Sequence, residues 1–269
     1  MDKFEFTPIG YVCCGEKYRF EAPRQACFAR NQGFIQLEKN CNYETALAEL
    51  SGFEKIWVIS CFHLNSTWKP KVRPPLSAPG VEKVGVFASR SPHRPNPIGL
   101  SCVELVQVTG RRVYIQNFDL LDQTPILDIK PYIPEADAFV NSRAGWRDMV
   151  SAQTAEIEFF EAARTKIKFL ADNFNIDLNN FIRIQLGRNP LDNSRKRIIL
   201  ADEGCKFNRI GFRTWQIWYV VEELPDDGVK VLVTDVKGNY APEELLPGAA
   251  DKYGDKDFHR LFIASFGVH

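Results

Sequence analysis

The first half of the chain is a succession of short apolar runs separated by glycine, proline and asparagine. These runs are rich in Val, Ile and Phe, and several alternate between apolar and polar residues, which is typical of β-strands. Many short strands with frequent turns predict a β-barrel or a β-sandwich. The predicted strands are Phe4–Val12, Phe34–Leu37, Lys55–Phe62, Lys83–Ala88, Leu100–Val108 and Arg112–Phe118.

One short helix interrupts these strands. The pattern predicts a helix over Tyr43–Leu50, with Asn42 as its N-terminal cap and Gly52 at its end. No G-x-G-x-x-G motif follows a strand, and no long crossover helices alternate with the strands. A Rossmann-type nucleotide-binding domain is therefore not predicted.

The pattern changes after Pro131. Apolar residues at mostly helical spacing predict a helix over Ala152–Phe174 and a second one over Asp177–Leu186. Strands return over Thr214–Val221 and Val229–Val236, and residues 251–269 show no clear period. We therefore predict a mainly β, barrel-forming domain over residues 1–145 and a small α+β domain over residues 150–269.

Residues 89–101, with the sequence SRSPHRPNPIGLS, form a loop that is stiffened by proline. Pro92, Pro95 and Pro97 each fix φ and remove a backbone donor, so this stretch cannot be an ordinary helix or a central strand. A stiff loop that carries arginine, histidine and asparagine loses little entropy when it binds an anionic or polar ligand. A turn that is merely rich in proline is the alternative. Apolar residues on both sides connect the loop to the core and favour the binding role.

The composition is that of a globular protein, with 45% hydrophobic and 25% charged residues among 269. The longest apolar run, Ile56–Phe62, is far shorter than the ~20 residues of a membrane helix. The first residues show no pattern typical of an export leader, so we expect a cytoplasmic protein without a membrane span. Seven cysteines without a C-x-x-C pair or Cys/His ligand spacing predict reduced thiols and no metal site.

The net charge is zero, but the charges are unevenly distributed. Between Arg183 and Arg213 the chain has eight basic and three acidic residues, and the sign reverses between Glu222 and Asp257. Such a basic segment can be a solvated face, can pair with the acidic segment, or can bind phosphate.

Polar side chains also occur where the neighbouring residues predict strand ends. If the strands close into a barrel, these ends gather at one rim, where residues distant in sequence can meet. A structural role is the alternative for each. The His63 ring can have all its hydrogen-bond partners within the protein, and the aspartate side chains can accept hydrogen bonds from the backbone of their own turns. No Ser/His/Asp order or carboxylate pair predicts a hydrolase. The polar segments are residues 22–25, 63–65, the loop around Arg90, and 119–125.

Several long motifs together resemble one enzyme family. They are Pro23-Arg24-Gln25, Val72-Arg73-Pro74-Pro75, the stretch from Gly85 to Ser101, and Leu127-Asp128-Ile129-Lys130-Pro131-Tyr132. Over about residues 4–140 the chain closely resembles the tRNA adenine-37 N6-methyltransferase family. The resemblance implies a β-barrel methyltransferase that uses S-adenosylmethionine (SAM) and acts as a homodimer on N6-threonylcarbamoyladenosine beside the tRNA anticodon.

The resemblance also implies which residues contact SAM. Arg24 or Arg90 can bind the methionine carboxylate in a fork, and Leu100 can pack against the adenine. The acidic run that begins at Asp119 can accept hydrogen bonds from the ribose hydroxyls or the amino group. The implied SAM contacts are Pro23, Arg24, Gln25, His63, Leu64, Arg90, Leu100, Asp119, Leu120, Leu121 and Asp122.

The implied reaction transfers a methyl group in line from the sulfonium to an adenine nitrogen. The lone pair of that nitrogen is delocalised into the ring, so placement and dehydration supply most of the acceleration. A proton acceptor near the N6 hydrogen would assist as charge develops, and His63, Asp128 and Tyr132 are the candidates. Asp128 can instead pair with Lys130, and Tyr132 can stack on the base or pack against Pro131.

The C-terminal half departs from the family. An Asp-Pro-Arg-Pro-x-Tyr motif is usual there, whereas this chain has Gly187-Arg188-Asn189-Pro190-Leu191-Asp192, which lacks the Asp and the Tyr. The resemblance assigns this segment to tRNA binding, so the departure concerns the RNA and not the cofactor. Trp215 and Trp218 lie nearby; at this spacing in a strand they point to opposite faces, and at least one belongs to the core. The candidate RNA-binding residues are Arg188, Arg195, Lys196 and Arg197.

The leading hypothesis is a cytoplasmic, homodimeric, SAM-dependent methyltransferase that acts on the anticodon stem-loop of tRNA. Two alternatives stay open. One is a non-catalytic regulator that binds SAM or a nucleotide, and the other is a methyltransferase for another RNA or a small molecule. Transfer of a labelled methyl group to tRNA separates the three.

Overall fold

The computed structural model describes residues 3–19, 21–22, 29, 31–74, 81–150, 154–187, 189–193, 197–225 and 228–267. The chain divides into two compact units, residues 1–151 and 152–269. No helix within the described ranges is long and apolar enough to cross a membrane.

The first unit is a closed, six-stranded antiparallel barrel, which confirms the predicted fold class. Its strands are β1 (Gly10–Cys13), β2 (Gln32–Leu37), β3 (Lys55–Cys61), β6 (Ile98–Thr109), β7 (Arg112–Gln116) and β8 (Pro125–Pro131). The order around the barrel is β1, β2, β7, β6, β3, β8, and β8 pairs with β1 to close it. A separate two-stranded ribbon is formed by β4 (Lys71–Val72) and β5 (Val84–Gly85).

Alternation along the strands fills the barrel interior. In β3 the side chains of Ile56 and Val58 are fully buried, and the residues between them point outward. Because apolar side chains fill the interior, a ligand must bind at an end of the barrel or on its outside. The core includes Val12, Ile35, Ile56, Val58, Val103, Val113, Ile115, Phe118 and Ile126.

The helix that follows β2 is shorter than predicted. Helix α1 covers Tyr43–Ala46, and the chain continues through turns into a single 3₁₀ turn over Leu50–Gly52. The predicted capping by Asn42 is wrong, because this residue has a left-handed φ of 55° and makes no side-chain bond to a backbone N–H. Its Oδ1 instead accepts a hydrogen bond from Thr45 Oγ1 at 2.8 Å. A second short helix, α2, covers Pro134–Asp137.

The second unit is a five-stranded sheet with three helices. The sheet order is β10 (Ile198–Ile199), β11 (Asn208–Phe212), β12 (Trp215–Glu223), β13 (Val229–Gly238) and β9 (Glu156–Phe159), with β9 parallel to β13. The helices are α3 (Glu161–Phe174), α4 (Leu178–Leu186) and α5 (Lys256–Phe266). Asp177 caps α4 by accepting a hydrogen bond from Asn180 N at 2.9 Å. That bond places the start of α4 where the sequence predicts it.

The predicted helix over Ala152–Phe174 is wrong in its first part. Residues 156–159 form β9, where Ile157 pairs with Val231, and α3 begins only after Phe160. The sequence Glu-Ile-Glu-Phe alternates with a period of two, which suits an edge strand. The helical spacing of the apolar residues in α3, which follows directly, obscures this short alternation. The prediction for the two tryptophans is confirmed, since Trp215 is fully buried and Trp218 is partly exposed.

Candidate functional site

Several loops meet at one end of the barrel, which we call the rim. Strand β3 ends where β6 begins, since Cys61 pairs with Ile98. The turn that carries His63 and Leu64 is joined to the proline loop by a hydrogen bond from Phe62 N to Pro97 O at 2.7 Å. The turn after β3, the proline loop and the loop that leads into β8 therefore share the rim.

The loop between β7 and β8 carries Asp119 and Asp122 to the rim. Ser101 Oγ donates a hydrogen bond of 2.5 Å to Asp119 Oδ1. Asp122 Oδ1 accepts from Cys14 N at 3.0 Å, and its backbone N–H donates to Glu16 O at 2.7 Å. Asp122 thus fastens the end of β1 to the loop. This long-range contact differs from the bond to its own turn that was the alternative role of Asp122.

The electrostatics of Asp119 distinguish it from Asp122. Burial raises the pKa of the Asp119 carboxyl, while the hydrogen bond from Ser101 and the positive charge of Arg90 act in the opposite direction. Arg90 itself is exposed. The rim therefore holds a half-buried carboxylate and an exposed guanidinium that interact electrostatically, and these opposite charges suit a zwitterionic ligand.

Two serines at the rim escaped the sequence analysis. Ser60 is fully buried, and its Oγ has no hydrogen-bond partner among the described residues. A Cβ added to Gly99 would lie 2.6 Å from that Oγ and 3.0 Å from Phe62 Cζ, so only glycine allows β6 to approach so closely. Ser60 and Ser101 both stand at inward positions of otherwise apolar strands. A serine in the inward-facing row of an otherwise apolar strand was the sequence signal that could have pointed to these two residues.

The proline loop is held rigidly by its own side chains. Arg94 donates to Val86 O at 3.1 Å and to Ser89 O at 2.9 Å, and its guanidinium lies over the Phe87 ring. Trp146 Nε1 donates to Ala88 O at 2.8 Å. Arg94 therefore holds the loop in shape, and Arg90 is left as the loop arginine that can meet a ligand.

The remaining cofactor candidates differ in what they expose. Leu120 is buried in the barrel core, so only its backbone can touch a ligand. Leu121 is partly buried, and His63 and Leu64 are exposed. Leu100 is 58% exposed on the outer face of the barrel.

The other two candidate catalytic residues differ in their distance from the rim: Asp128 shares a cross-strand row with Ile59 and Leu100, whereas Tyr132 lies at the opposite end of β3. Asp128 is opposite Ile59 on the outer face, and it forms an ion pair with Lys130 at 2.8 Å. The backbone N–H of Tyr132 donates to Lys55 O, at the start of β3, and its ring packs against Trp57 at 5.7 Å. The 7 residues of β3 span about 20 Å, and Tyr132 and His63 lie at opposite ends of this strand. The two residues of one chain are therefore too far apart to act on the same group.

Some sequence candidates lie outside the described residues. They are Pro23, Arg24 and Gln25 in the barrel unit, and Arg188, Arg195 and Lys196 in the second unit. The described flanks of the β1–β2 connection both reach the rim, since Asn31 Oδ1 accepts a hydrogen bond from Phe118 N at 3.0 Å. Arg197 is partly buried, and its carbonyl accepts from Gly211 N at 3.3 Å, beside β11. Pro190 is buried, and its carbonyl accepts from Tyr219 OH at 2.5 Å.

The groups at the rim fit SAM. Arg90 and Asp119 match its carboxylate and its ammonium or hydroxyl groups, and Leu100 offers an apolar contact for a base on the outer face of the barrel. In the ranges that the structure covers, no three His, Cys, Asp or Glu side chains gather in a way that could hold a metal ion.

Comparison with known proteins identifies relatives of this chain. A sequence profile of the tRNA-methyltransferase O N-terminal domain matches residues 13–138. A tRNA (adenine(37)-N6)-methyltransferase of Escherichia coli K12 is 33% identical over 242 residues, which are 87% of this chain and 95% of that protein. A putative S-adenosylmethionine-dependent methyltransferase RcsF of Pseudomonas aeruginosa is 40% identical over 161 residues, 59% of this chain and 69% of that protein.

A solved structure extends the comparison to the fold. The crystal structure of TrmO from Pseudomonas aeruginosa matches with a TM-score of 0.63 and 27% identity, over 88% of this chain and 99% of that chain. The match therefore includes both the barrel and the C-terminal unit. Because the match covers 95% of the Escherichia coli protein at 33% identity, the chain belongs to the tRNA (adenine(37)-N6)-methyltransferase family.

Proposed function

We propose that this protein transfers a methyl group from SAM to N6 of N6-threonylcarbamoyladenosine at position 37 of tRNA. Family membership supports tRNA methylation, and the names of relatives such as RcsF support SAM as the donor. The observation that carries the proposal is the half-buried carboxylate of Asp119, which is bonded to Ser101 and feels the positive charge of the exposed Arg90. We further propose a cytoplasmic location, where tRNA is available.

Each rim residue binds a different part of SAM. Arg90 binds the carboxylate, and Asp119 accepts from the ammonium or from ribose hydroxyls. A positive group placed beside Asp119 favours its ionised form, because it offsets the burial that raises the pKa of this carboxyl. Leu100 packs against the adenine.

The other cofactor contacts follow from the family resemblance. The backbone of Leu120 and Leu121, together with Asp122, lines the same loop. His63 and Leu64 lie on the neighbouring turn. Pro23, Arg24 and Gln25 belong to the connection whose described flanks reach the rim.

When bound, SAM supplies an electrophilic methyl group on its sulfonium sulfur. Its C–S bond would break as the bond to N6 forms, and the N6 proton would pass to an acceptor. His63 is our candidate acceptor, because it is exposed at the rim where the cofactor groups meet. Asp128 is held by Lys130, and Tyr132 is at the far end of β3. Tyr132 therefore reaches a transfer site at the rim only if a second copy presents it, whereas Asp128 would first have to release Lys130.

We propose that the protein is a homodimer. Near the rim, Phe87, Ile98 and Leu100 are 77%, 43% and 58% exposed. A monomer would leave these large apolar side chains in water, whereas a second copy would cover them. Sedimentation analysis tests this, and a monomer at micromolar concentration would contradict it.

The C-terminal unit is our proposed tRNA-binding domain. Its basic segment includes Arg188, Arg195, Lys196 and Arg197. The departure from the family motif leaves Pro190 buried and bonded to Tyr219, so this turn keeps a fixed place on the sheet. We expect reversal of charge at Arg195, Lys196 and Arg197 to weaken tRNA binding and to flatten its salt dependence.

The deciding experiment uses tRNA that carries threonylcarbamoyladenosine, methyl-labelled SAM and the purified protein. Nucleosides are then separated and identified by mass, and tRNA without the threonylcarbamoyl group is the matched control. Label on threonylcarbamoyladenosine supports the proposal. Label on another nucleoside indicates a different RNA substrate, and SAM binding without transfer indicates a regulator.

A further inference from the structure

The C-terminal sheet has one face that the proposed function does not use. Along β12 the side chains of Trp215, Ile217 and Tyr219 are fully buried, and the alternate positions are partly exposed. Trp218 lies on this second face. We call it the outer face and define it by Arg209, Gly211, Trp218 and Lys237.

Two cations flank the Trp218 ring. The guanidinium carbon of Arg209 lies 5.5 Å from the ring centroid, and Lys237 Nζ lies 4.4 Å from it. These residues belong to the strands on either side of β12, and Arg209 pairs directly with Trp218. The contacts are cation–π interactions, which leave both positive charges able to attract an anion.

The positive charges on the outer face are not neutralised by the part of the chain that the structure covers. Arg209 and Lys237 form no ion pair with described residues. Asp235, which pairs with Trp218 across the sheet, is engaged by Lys166 Nζ at 2.6 Å. The outer face is therefore complementary to a negatively charged partner.

Gly211 leaves a flat, open surface beside the ring. It pairs with Gln216, two residues before Trp218, and a Cβ at this position would meet nothing within 4 Å. A planar group can therefore lie on the backbone here without displacing a side chain.

We propose that the outer face binds a single-stranded segment of the tRNA substrate, with Trp218 stacked on a base and with Arg209 and Lys237 on the flanking phosphates. The inference rests on the proposed function, which supplies the RNA. Stacking of a base on an aromatic ring is stronger than an exposed cation–π contact. A phosphate can therefore draw Lys237 off the ring, and a base can take its place. Such binding tolerates any sequence, because every base has a π face.

Gly211→Glu and Gly211→Gln form a matched pair that tests the charge of this face. Both side chains have the same size and enter the same open space, but only the first repels phosphate. Binding of a fluorescein-labelled RNA hairpin with the anticodon loop sequence is measured by anisotropy. We expect Gly211→Glu to weaken binding roughly ten-fold and Gly211→Gln to change it little. Equal affinities for both variants and the wild type would overturn the proposal, as would equal losses.

A second set of variants separates stacking from charge. Trp218→Leu removes the ring, whereas Trp218→Phe keeps an aromatic face. Heparin, a polyanion without bases, serves as the comparison ligand. We expect Trp218→Leu to weaken RNA binding and spare heparin binding, with partial rescue by Trp218→Phe. Parallel losses for both ligands would refute stacking.

Lys237→Met tests the phosphate contact. This variant should weaken the binding of both RNA and heparin. It should also reduce by about 0.7 the slope of the logarithm of the RNA-binding constant against the logarithm of the salt concentration. Lys168→Met, an exposed lysine of α3 paired with Asp172, is the control and should leave the slope unchanged. An unchanged slope in Lys237→Met would remove this residue from the contact.

These measurements are independent of the methylation assay. If the protein methylates threonylcarbamoyladenosine but outer-face variants bind RNA normally, only this inference fails. If no methylation occurs and the variants still lose RNA binding, only the proposed reaction fails. If RNA binding is unchanged while the variants alter the sedimentation of the protein, the outer face is a protein contact and the inference is wrong.

Discussion

The barrel and the C-terminal unit each contain a cluster of hydrogen-bonded polar side chains, but the two clusters differ in their access to solvent. In the barrel, Ser101 and Asp119 lie next to the exposed Arg90. In the C-terminal unit, Thr214 Oγ1 donates to Asp255 Oδ2 at 2.5 Å and lies 2.7 Å from His259 Nε2. Asp255 and His259 are each only 1% exposed.

The sealed cluster has the residue types of a catalytic triad without the access that catalysis needs. His259 stacks on the buried Trp215 with ring centroids 3.7 Å apart, and Tyr240 OH donates to Asp255 Oδ1 at 3.0 Å. Every partner is part of the protein, so the cluster fastens α5 to the sheet. Residue types alone therefore do not identify a site, because a site also needs access to solvent.

Burial gives the two clusters opposite effects on how the stability of the fold depends on pH. It raises the pKa of Asp119 and lowers the pKa of His259 to about 4. In both cases the neutral form is favoured in the fold. Stability from His259 is thus lost toward acid, whereas ionisation of Asp119 opposes folding as the pH rises.

The largest expected effect is the loss of stability of the C-terminal unit in acid. His259 has a pKa of ~6.5 in the unfolded chain and about 4 in the fold, so the unfolded chain binds more protons between these values. Stability should fall by about 3 kcal/mol as the pH decreases through this window. Thr214, Tyr240, Asp251 and Asp255 face the imidazole, and the two carboxylates moderate the effect.

Urea unfolding at several pH values measures this loss. His259→Gln should be less stable at neutral pH but should lose most of the pH dependence. His63→Gln, a change at the exposed rim, is the control and should show the same pH dependence of stability as the wild type. The same pH dependence in His259→Gln and the wild type would show that another group controls acid stability.

A smaller effect is expected for the two arginines of the proline loop, which separate binding from structure. Arg90→Ala should weaken SAM binding by about 2 kcal/mol, or roughly thirty-fold, because a charged hydrogen bond is lost. Arg94→Ala should lower the melting temperature instead, because it removes the bonds to Val86 O and Ser89 O. Calorimetry with SAM and thermal unfolding of both variants measure the contrast. If SAM affinity is unchanged in Arg90→Ala, Arg90 does not belong to the site.

Much of the barrel follows from sequence, because alternation in β3, β6 and β7 records which face is buried. The short edge strand β9 and the helix α5 escape prediction for the opposite reason. The alternation of β9 is only four residues long, and the buried face of α5 includes the polar residues Lys256 and His259. Contacts with distant residues therefore decide both elements: Ile157 with Val231, and His259 with Thr214.

The candidate site shows the same limit. Sequence motifs point to the loops with Arg90 and Asp119, since these loops are rich in polar residues and turns. They miss Ser60, whose role depends on the close approach of Gly99 across a strand pair. They also group Tyr132 with His63, because sequence does not show that the two residues lie at opposite ends of β3.

The smallest effect concerns Asp119, where binding and stability should change in opposite directions. Asp119→Asn keeps an oxygen that accepts from Ser101 but removes the charge. Since burial raises the pKa of this carboxyl, its ionised form opposes folding at neutral pH, and the neutral amide should make the barrel slightly more stable. The same change should weaken SAM binding by about 1 kcal/mol, because an amide is a poorer partner than a carboxylate for an ammonium group. Urea unfolding and calorimetry on one preparation test both halves. A less stable variant with normal SAM affinity would make Asp119 a structural partner of Arg90, and the barrel cluster would then resemble the sealed cluster of the C-terminal unit.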